Sequence, residues 1–246
     1  MRLLLSLVLL SSTACAQETF QVATIKPSAP DTPKGMQIRG NRFATTGTTP
    51  LDLLVFAYNI HGSQLIGGPE WLRTSKFDVM ADPESERQST SPEIKAMLAE
   101  LLTERFHLVL HHEQRELSVY AIVKGNKEPV LRVTEGNAIH MPTGGLVPPG
   151  SLYVKNATMT NFAAFLQRFA SSDIDRPVID QTGIPGKFDF ELHYTPANAP
   201  ADTHADATAH PGIFTAMQEQ LGLKLKLTRA PVDVLLVDSA TQPTPD

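Results

Sequence analysis

The sequence predicts an α+β fold made by internal duplication of one small unit, with helices packed on small mixed sheets. Three observations carry this reading. The stretches "SKFDVMADP" (residues 75 to 83) and "GKFDFELHYTP" (residues 186 to 196) both open on Lys-Phe-Asp, alternate apolar residues and close on Pro. The displacement of 111 that superimposes them also places Leu51, Leu54, Val55 and Tyr58 on Phe162, Phe165, Leu166 and Phe169. Each set has the i, i+3, i+4, i+7 spacing of one helix face. Each copy then reads as strand, helix, one or two strands, helix and closing hairpin, an arrangement that buries a sheet under its helices.

In chain order, Arg2, the apolar run "LLLSLVLL" and Ala14-Cys15-Ala16 predict a signal peptide over residues 1–16, cleaved after Ala16. Lipidation at Cys15 is the alternative, disfavoured because Ser12 stands where an aliphatic residue is usual. The expectation is an exported protein, periplasmic or extracellular, beginning at Gln17. It would hold no cysteine and so no disulfide. The apolar run is too short for a span, which takes about 20 residues, so no membrane span is expected in the mature chain.

The first unit is placed at 17–139. Its first helix starts after Thr49 with Pro50 at the favoured first position, and the matching helix of the second unit after Thr160. Gly67-Gly68-Pro69 is a turn, with Trp71 as a plug in the core beside it. Phe77, Val79 and Ala81 alternate as a strand, as do Phe188, Phe190 and Leu192. That alternation puts Asp78 and Asp189 on the outer sheet face. "SPEIKAMLAELLTERF" and "HPGIFTAMQEQL" are the second helices. Each runs into an alternating strand, with Phe106, Leu108 and Leu110 in one and Leu223, Leu225 and Leu227 in the other. These pass Arg115 and Arg229 into closing strands, "LSVYAIV" and "VDVLLV". Residues 140–150 (Gly/Pro-rich) form the expected linker, 151–240 the second unit and 241–246 a tail.

Composition narrows the function classes. With 41% hydrophobic and 19% charged residues the chain is of globular type, and its net charge is −5. Without a Lys/Arg stripe, an acidic chain is a poor partner for nucleic acid, where affinity rests on neutralising phosphates. No nucleophile elbow, Walker loop, dinucleotide fingerprint or H-E-x-x-H helix occurs.

Six residues stand out as functional or turn-structuring positions: Trp71, Asp78, His107, His111, Asp180 and Asp189. His107 and His111 share a strand face about 13 Å apart at ~3.3 Å per residue, too far for one ion. Asp180 precedes "QTG", where its side chain would hold its own turn before Gly183 and Gly186. No catalytic residue, cofactor or metal is assigned.

"RPVIDQTGIPGKFDFELHYTP", "FTAMQEQLGLKLKLTRAPVDVLLVD", "LIGGPEWLRTSKFDVMA" and "LLTERFHLVLHHEQRELSVYAIV" together resemble an exported bacterial domain family of unknown function. That family is also similar to the C-terminal domain of some antibiotic-sensor-type membrane metallopeptidases. Each half further resembles the short N-terminal domain of secretins and TonB-dependent receptors, with Arg105 standing where that domain has Gly in the first half. The resemblance implies a non-catalytic envelope module that binds a protein partner or ligand. The alternative is a hydrolase acting on peptide or cell-wall material through Asp and His.

Overall fold

The structure is a computed structural model describing residues 18–85, 87–135, 143–147, 150–199 and 210–244. The expected signal segment lies outside them. Two four-stranded sheets and a central one carry the helices, as the α+β reading expects.

One outer sheet holds β1 (Phe20–Pro27), β2 (Gly35–Arg39), β3 (Arg42–Thr48) and β5 (Phe77–Pro83) in the order β1-β5-β3-β2. The other holds β7 (Arg132–Val133), β8 (Thr143–Val147), β9 (Ser151–Ala157) and β11 (Phe188–His193) in the order β7-β11-β9-β8. Both are antiparallel. The central sheet pairs β6 (Val109–Lys124) with β12 (Leu223–Ser239) along nearly their whole length. Short parallel strands flank this pair, β4 (Leu65–Gly67) beside β12 and β10 (Val178–Asp180) beside β6. Helices α1 (Pro50–Tyr58) and α3 (Ser91–Arg105) pack on the first core, with the single turn α2 (Trp71–Thr74) beside them. Helices α4 (Met159–Phe169) and α5 (Ile213–Gln220) pack on the second.

Local chemistry explains the helix starts. Thr49 accepts from the Asp52 N–H while Asp52 accepts from the Thr49 N–H, a reciprocal capping box. Thr158 and Asn161 make the same box at α4. The cap is therefore Thr158, 109 residues after Thr49, and the expected cap Thr160 sits inside the helix. The buried residues of α1 are Pro50, Leu53, Leu54 and Phe56, so the apolar face lies beside the expected one. Leu53 then corresponds to Phe162, and both are fully buried.

The Lys-Phe-Asp strands answer to one another in place and in partners. Phe77 pairs with Thr48 and Phe188 with Ala157, and both Phe are buried where their strands open. Each following Asp reaches back to the neighbouring strand at an irregularity in the ladder. Asp78 Oδ1 accepts from the Gly47 N–H at 2.9 Å, and Asp189 Oδ1 from the Asn156 N–H at 2.7 Å. Gly47 and Asn156 both have positive φ, 56° and 51°, as a bulge residue can. A hydroxyl adds a second donor each time, from Ser28 and from Thr134. These aspartates are part-buried clamps, each holding a backbone N–H and a hydroxyl at its bulge.

Three further expectations change. The closing hairpins do not form: β6 and β12 are each one continuous strand. No Gly, Pro or Asn interrupts the alternation from Leu108 to Val123, and a tight hairpin requires residues that accept positive φ. Pro231 is tolerated within β12 because β4 reaches only Leu235–Val237, leaving that edge open. The expected linker 140–150 contains β8, and β7 belongs to the second sheet although it falls within 17–139. His107 lies outside β6, in the turn after α3, with φ 45°. It shares no strand face with His111.

The long pair also ties the two cores together. Leu235 and Val237 of β12 are buried in the first core, and Ile122 of β6 in the second.

Candidate functional site

The candidate site is a groove of about 300 Å³ between α1 and α4. From α1 come Asp52, Val55, Phe56 and Asn59, and from α4 Ala164, Gln167 and Arg168. Lys34 and Met36 close it from the side of β2. Each helix is tied to a neighbouring strand at this point. Gln167 accepts from the Val178 N–H at 2.7 Å, which fixes α4 against β10. Phe56 stacks on Phe43 with ring centres 5.6 Å apart, which fixes its ring against the first sheet.

Charge is unevenly placed here. Lys34 is paired with Asp52, whose other oxygen is already engaged in the α1 cap. The Arg168 guanidinium lies 5.1 Å from the Phe56 ring centre and 5.4 Å from that of Phe169. No carboxylate pairs with it among the described residues. Lys95 Nζ, from α3, lies 5.4 Å from the same Phe56 ring and, among the described residues, donates only to Asn59 Oδ1, at 3.0 Å. Burial pulls Arg168 below its usual range. Lys95 is pulled down to about 8, by burial first and then by repulsion from Arg168. The part-buried Lys95 and the exposed Arg168 thus stand beside one aromatic ring without an opposing charge among the described residues, and partial desolvation penalises the buried part of that charge.

Residues 51–240 match the family described as a protein of unknown function, DUF3738. The chain belongs to that family. No curated protein and no solved structure matches it.

In this DUF3738 chain the six positions singled out from sequence do not converge. Trp71 stacks on Phe106 with ring centres 6.0 Å apart, at the rim of the first core. Asp180 accepts from the N–H and hydroxyl of Thr182, both at 2.8 Å, within its own turn. His111 Nδ1 meets Asp238 Oδ2 at 2.8 Å and His112 Nδ1 meets Asp233 Oδ2 at 2.6 Å, as exposed pairs across β6 and β12. His107 lies near Glu104 and Arg105 beside the C-terminal residues Thr241 to Thr244. Asp78 and Asp189 hold their separate bulges. Among the described residues no three His, Cys, Asp or Glu side chains gather to hold a metal ion. Nor, among them, is any helix long and apolar enough to cross a membrane.

Phe56, Lys95 and Arg168 were not singled out from the DUF3738 sequence. The one local signal was Arg168 inside the Phe165/Phe169 helix, which reads equally well as a cation on a helix's last turn.

Proposed function

We propose that this protein is a non-catalytic binding module of the cell envelope, formed by two tandem copies of one α+β unit, with its ligand in the groove between their first helices. The observation that carries the binding role is the groove itself, a concavity lined by the Phe56 ring and by Arg168, with Lys95 at its flank, and neither cation meets a carboxylate among the described residues. Pockets with apolar linings and few convergent polar groups are the usual form of small-ligand sites, and about 300 Å³ is the lower end of their size. Tandem copies are supported by the recurring sheet order, capping boxes and Asp-held bulges. Export is supported by the signal-like features of residues 1–16 alone.

The test uses the chain from Gln17 onward, with thermal unfolding and turnover followed together against a panel of peptides, cell-wall fragments and small organic ions. Stabilisation by a panel member without turnover is expected. The hydrolase reading has one observation behind it, the Ser151 hydroxyl 2.9 Å from His193 Nδ1 across β9 and β11. Turnover of a peptide or cell-wall fragment that disappears in Ser151→Ala would replace the binding-module reading.

A further inference from the structure

We propose that the groove between α1 and α4 receives an amphiphilic organic anion, its acidic group on Arg168 and Lys95 and its apolar part against Phe56, Val55 and Met36. The inference rests on the binding-module reading and names the ligand's chemistry.

The argument starts from the charge count. The whole chain carries −5, yet this groove and its flank present Lys34, Lys95 and Arg168 against the single carboxylate Asp52, which Lys34 already engages. A surface of overall negative sign would ordinarily supply partners for such cations at little structural cost. Here Arg168, exposed at the groove's mouth, and the part-buried Lys95 face aromatic carbon and a side-chain amide instead.

Arg168 is also presented in a usable way. Its contacts are with the rings of Phe56 and Phe169. Rings engage the flat faces of a guanidinium, whereas its five N–H donors point outward in its plane. In-plane donors with no protein acceptor among the described residues suit the two oxygens of a carboxylate or phosphate, which a guanidinium grips bidentately. Lys95 adds a second positive charge at the same ring. An anion there would relieve the repulsion between the two cations.

The rest of the lining sets the remainder of the ligand. Met36, Val55, Ile60 and Ala164 leave no place for a second acidic group. A simple inorganic ion would leave this apolar surface in water. Burying it adds favourable free energy in proportion to area, so an anion with an attached apolar group fits both parts.

A purely structural account makes Arg168 a staple joining α4 to α1 through Phe56, and the experiment separates the two. Octanoate, octyl phosphate, octanol and inorganic phosphate are titrated into the chain from Gln17 onward, with heat of binding and amide chemical shifts as readouts. Octanoate or octyl phosphate is expected to bind at least tenfold more tightly than octanol or inorganic phosphate, with shifts confined to α1, α4 and Lys95. The stronger of the two octyl anions tells a carboxylate site from a phosphate site. Arg168→Gln should weaken that binding at least tenfold, and Arg168→Lys should restore only part of it. Lys95→Gln should weaken binding while raising the melting temperature of the free protein, a combination that a structural staple does not produce.

Equal affinity for octanol and octanoate, or unchanged anion binding in Arg168→Gln, overturns the anion assignment and leaves the groove a neutral apolar site. Binding of none of the four probes overturns it too. The binding-module reading falls separately, on turnover that depends on Ser151.

Discussion

Asp189 Oδ1 lies 2.7 Å from the backbone nitrogen of Asn156 and 2.7 Å from the Thr134 hydroxyl, so one carboxylate oxygen joins β11, the bulge of β9 and the residue just after β7. The Asn156 N–H, the Thr134 hydroxyl and the nearby charges of Arg132 and Lys155 hold this carboxyl below its usual range. Asp189→Ala should destabilise the protein by about 1–3 kcal/mol, the cost of leaving such donors unsatisfied at a half-exposed site. Because the folded-state value is depressed, the contribution is complete above the ordinary carboxylate value of 3.8 and fades as pH falls below it. Urea titrations at pH 7 and pH 3 check this: the gap between wild type and Asp189→Ala should narrow at the lower pH.

Gly47 bears the equivalent strain in the first sheet. Its φ is +56°, and a Cβ there would lie 2.5 Å from the Thr32 carbonyl oxygen. Gly40 also has positive φ, +60°, but nothing lies within 4 Å of its Cβ position. Gly40→Ala should therefore cost only the backbone strain, about 1 kcal/mol. Gly47→Ala should cost clearly more, since backbone must move as well. Thermal melts of the two variants side by side measure the difference.

These positions mark how far the sequence could be read. The Thr49 cap, the alternating Lys-Phe-Asp strands and the Asp180 turn are local features, and each is visible in a few adjacent residues. The offset between the helices was misplaced by two because α1 reads "PLDLLVFAY", apolar enough to match α4 at more than one displacement. Cap chemistry places the two helix starts 109 apart instead, at Thr49 with Asp52 and Thr158 with Asn161. The continuous β6 and β12 were missed because apolar alternation looks the same in a hairpin arm and in a long strand. The groove's one local signal, Arg168 inside the Phe165/Phe169 helix, does not point to Phe56, because the two residues are 112 apart and meet only when α1 and α4 do.

Lys95 supplies a prediction at alkaline pH. Its folded-state value of about 8 lies below the ordinary lysine value of 10.5, so the unfolded chain binds the extra proton between these limits. The penalty for burying the charge beside Arg168 is present in full below about pH 8 and is relieved as pH rises toward 10.5. Stability should accordingly gain relative to Lys95→Met over that interval. Denaturant midpoints of both proteins at pH 7.5, 9 and 10.5 test it, and parallel pH profiles would remove Lys95 as the source.

Export makes a prediction about mass. Expressed with its own leader, the chain should begin at Gln17, with no lipid attached. Intact mass of the exported protein decides between this and a diacylglyceryl group on Cys15, which the small residues around that cysteine leave as the competing outcome.

The long strands exchange core residues, and this decides how the two halves depend on each other. The first core includes Leu235 and Val237, which come from the second half of the chain, and the second core includes Ile122, which comes from the first. β4 completes the central sheet by pairing with β12, while β10 pairs with β6. A fragment ending after β6 would thus expose one side of its core and leave β4 without a partner. A fragment beginning after β6 would lose Ile122 and the partner of β10. Neither piece should fold alone, although each contains a full outer sheet and two packed helices. Cutting between Lys124 and β7 and mixing the pieces should restore the fold, because every severed contact lies on a surface the other piece supplies. Circular dichroism and amide spectra of residues 18–126, residues 127–244 and their equimolar mixture provide the measurement. Within the intact chain the same coupling predicts one cooperative transition. Phe77→Ala and Phe188→Ala should each lower global stability by about 3–5 kcal/mol without releasing one half ahead of the other. Two separated transitions in either variant would show that the shared strands do not bind the cores into one unit.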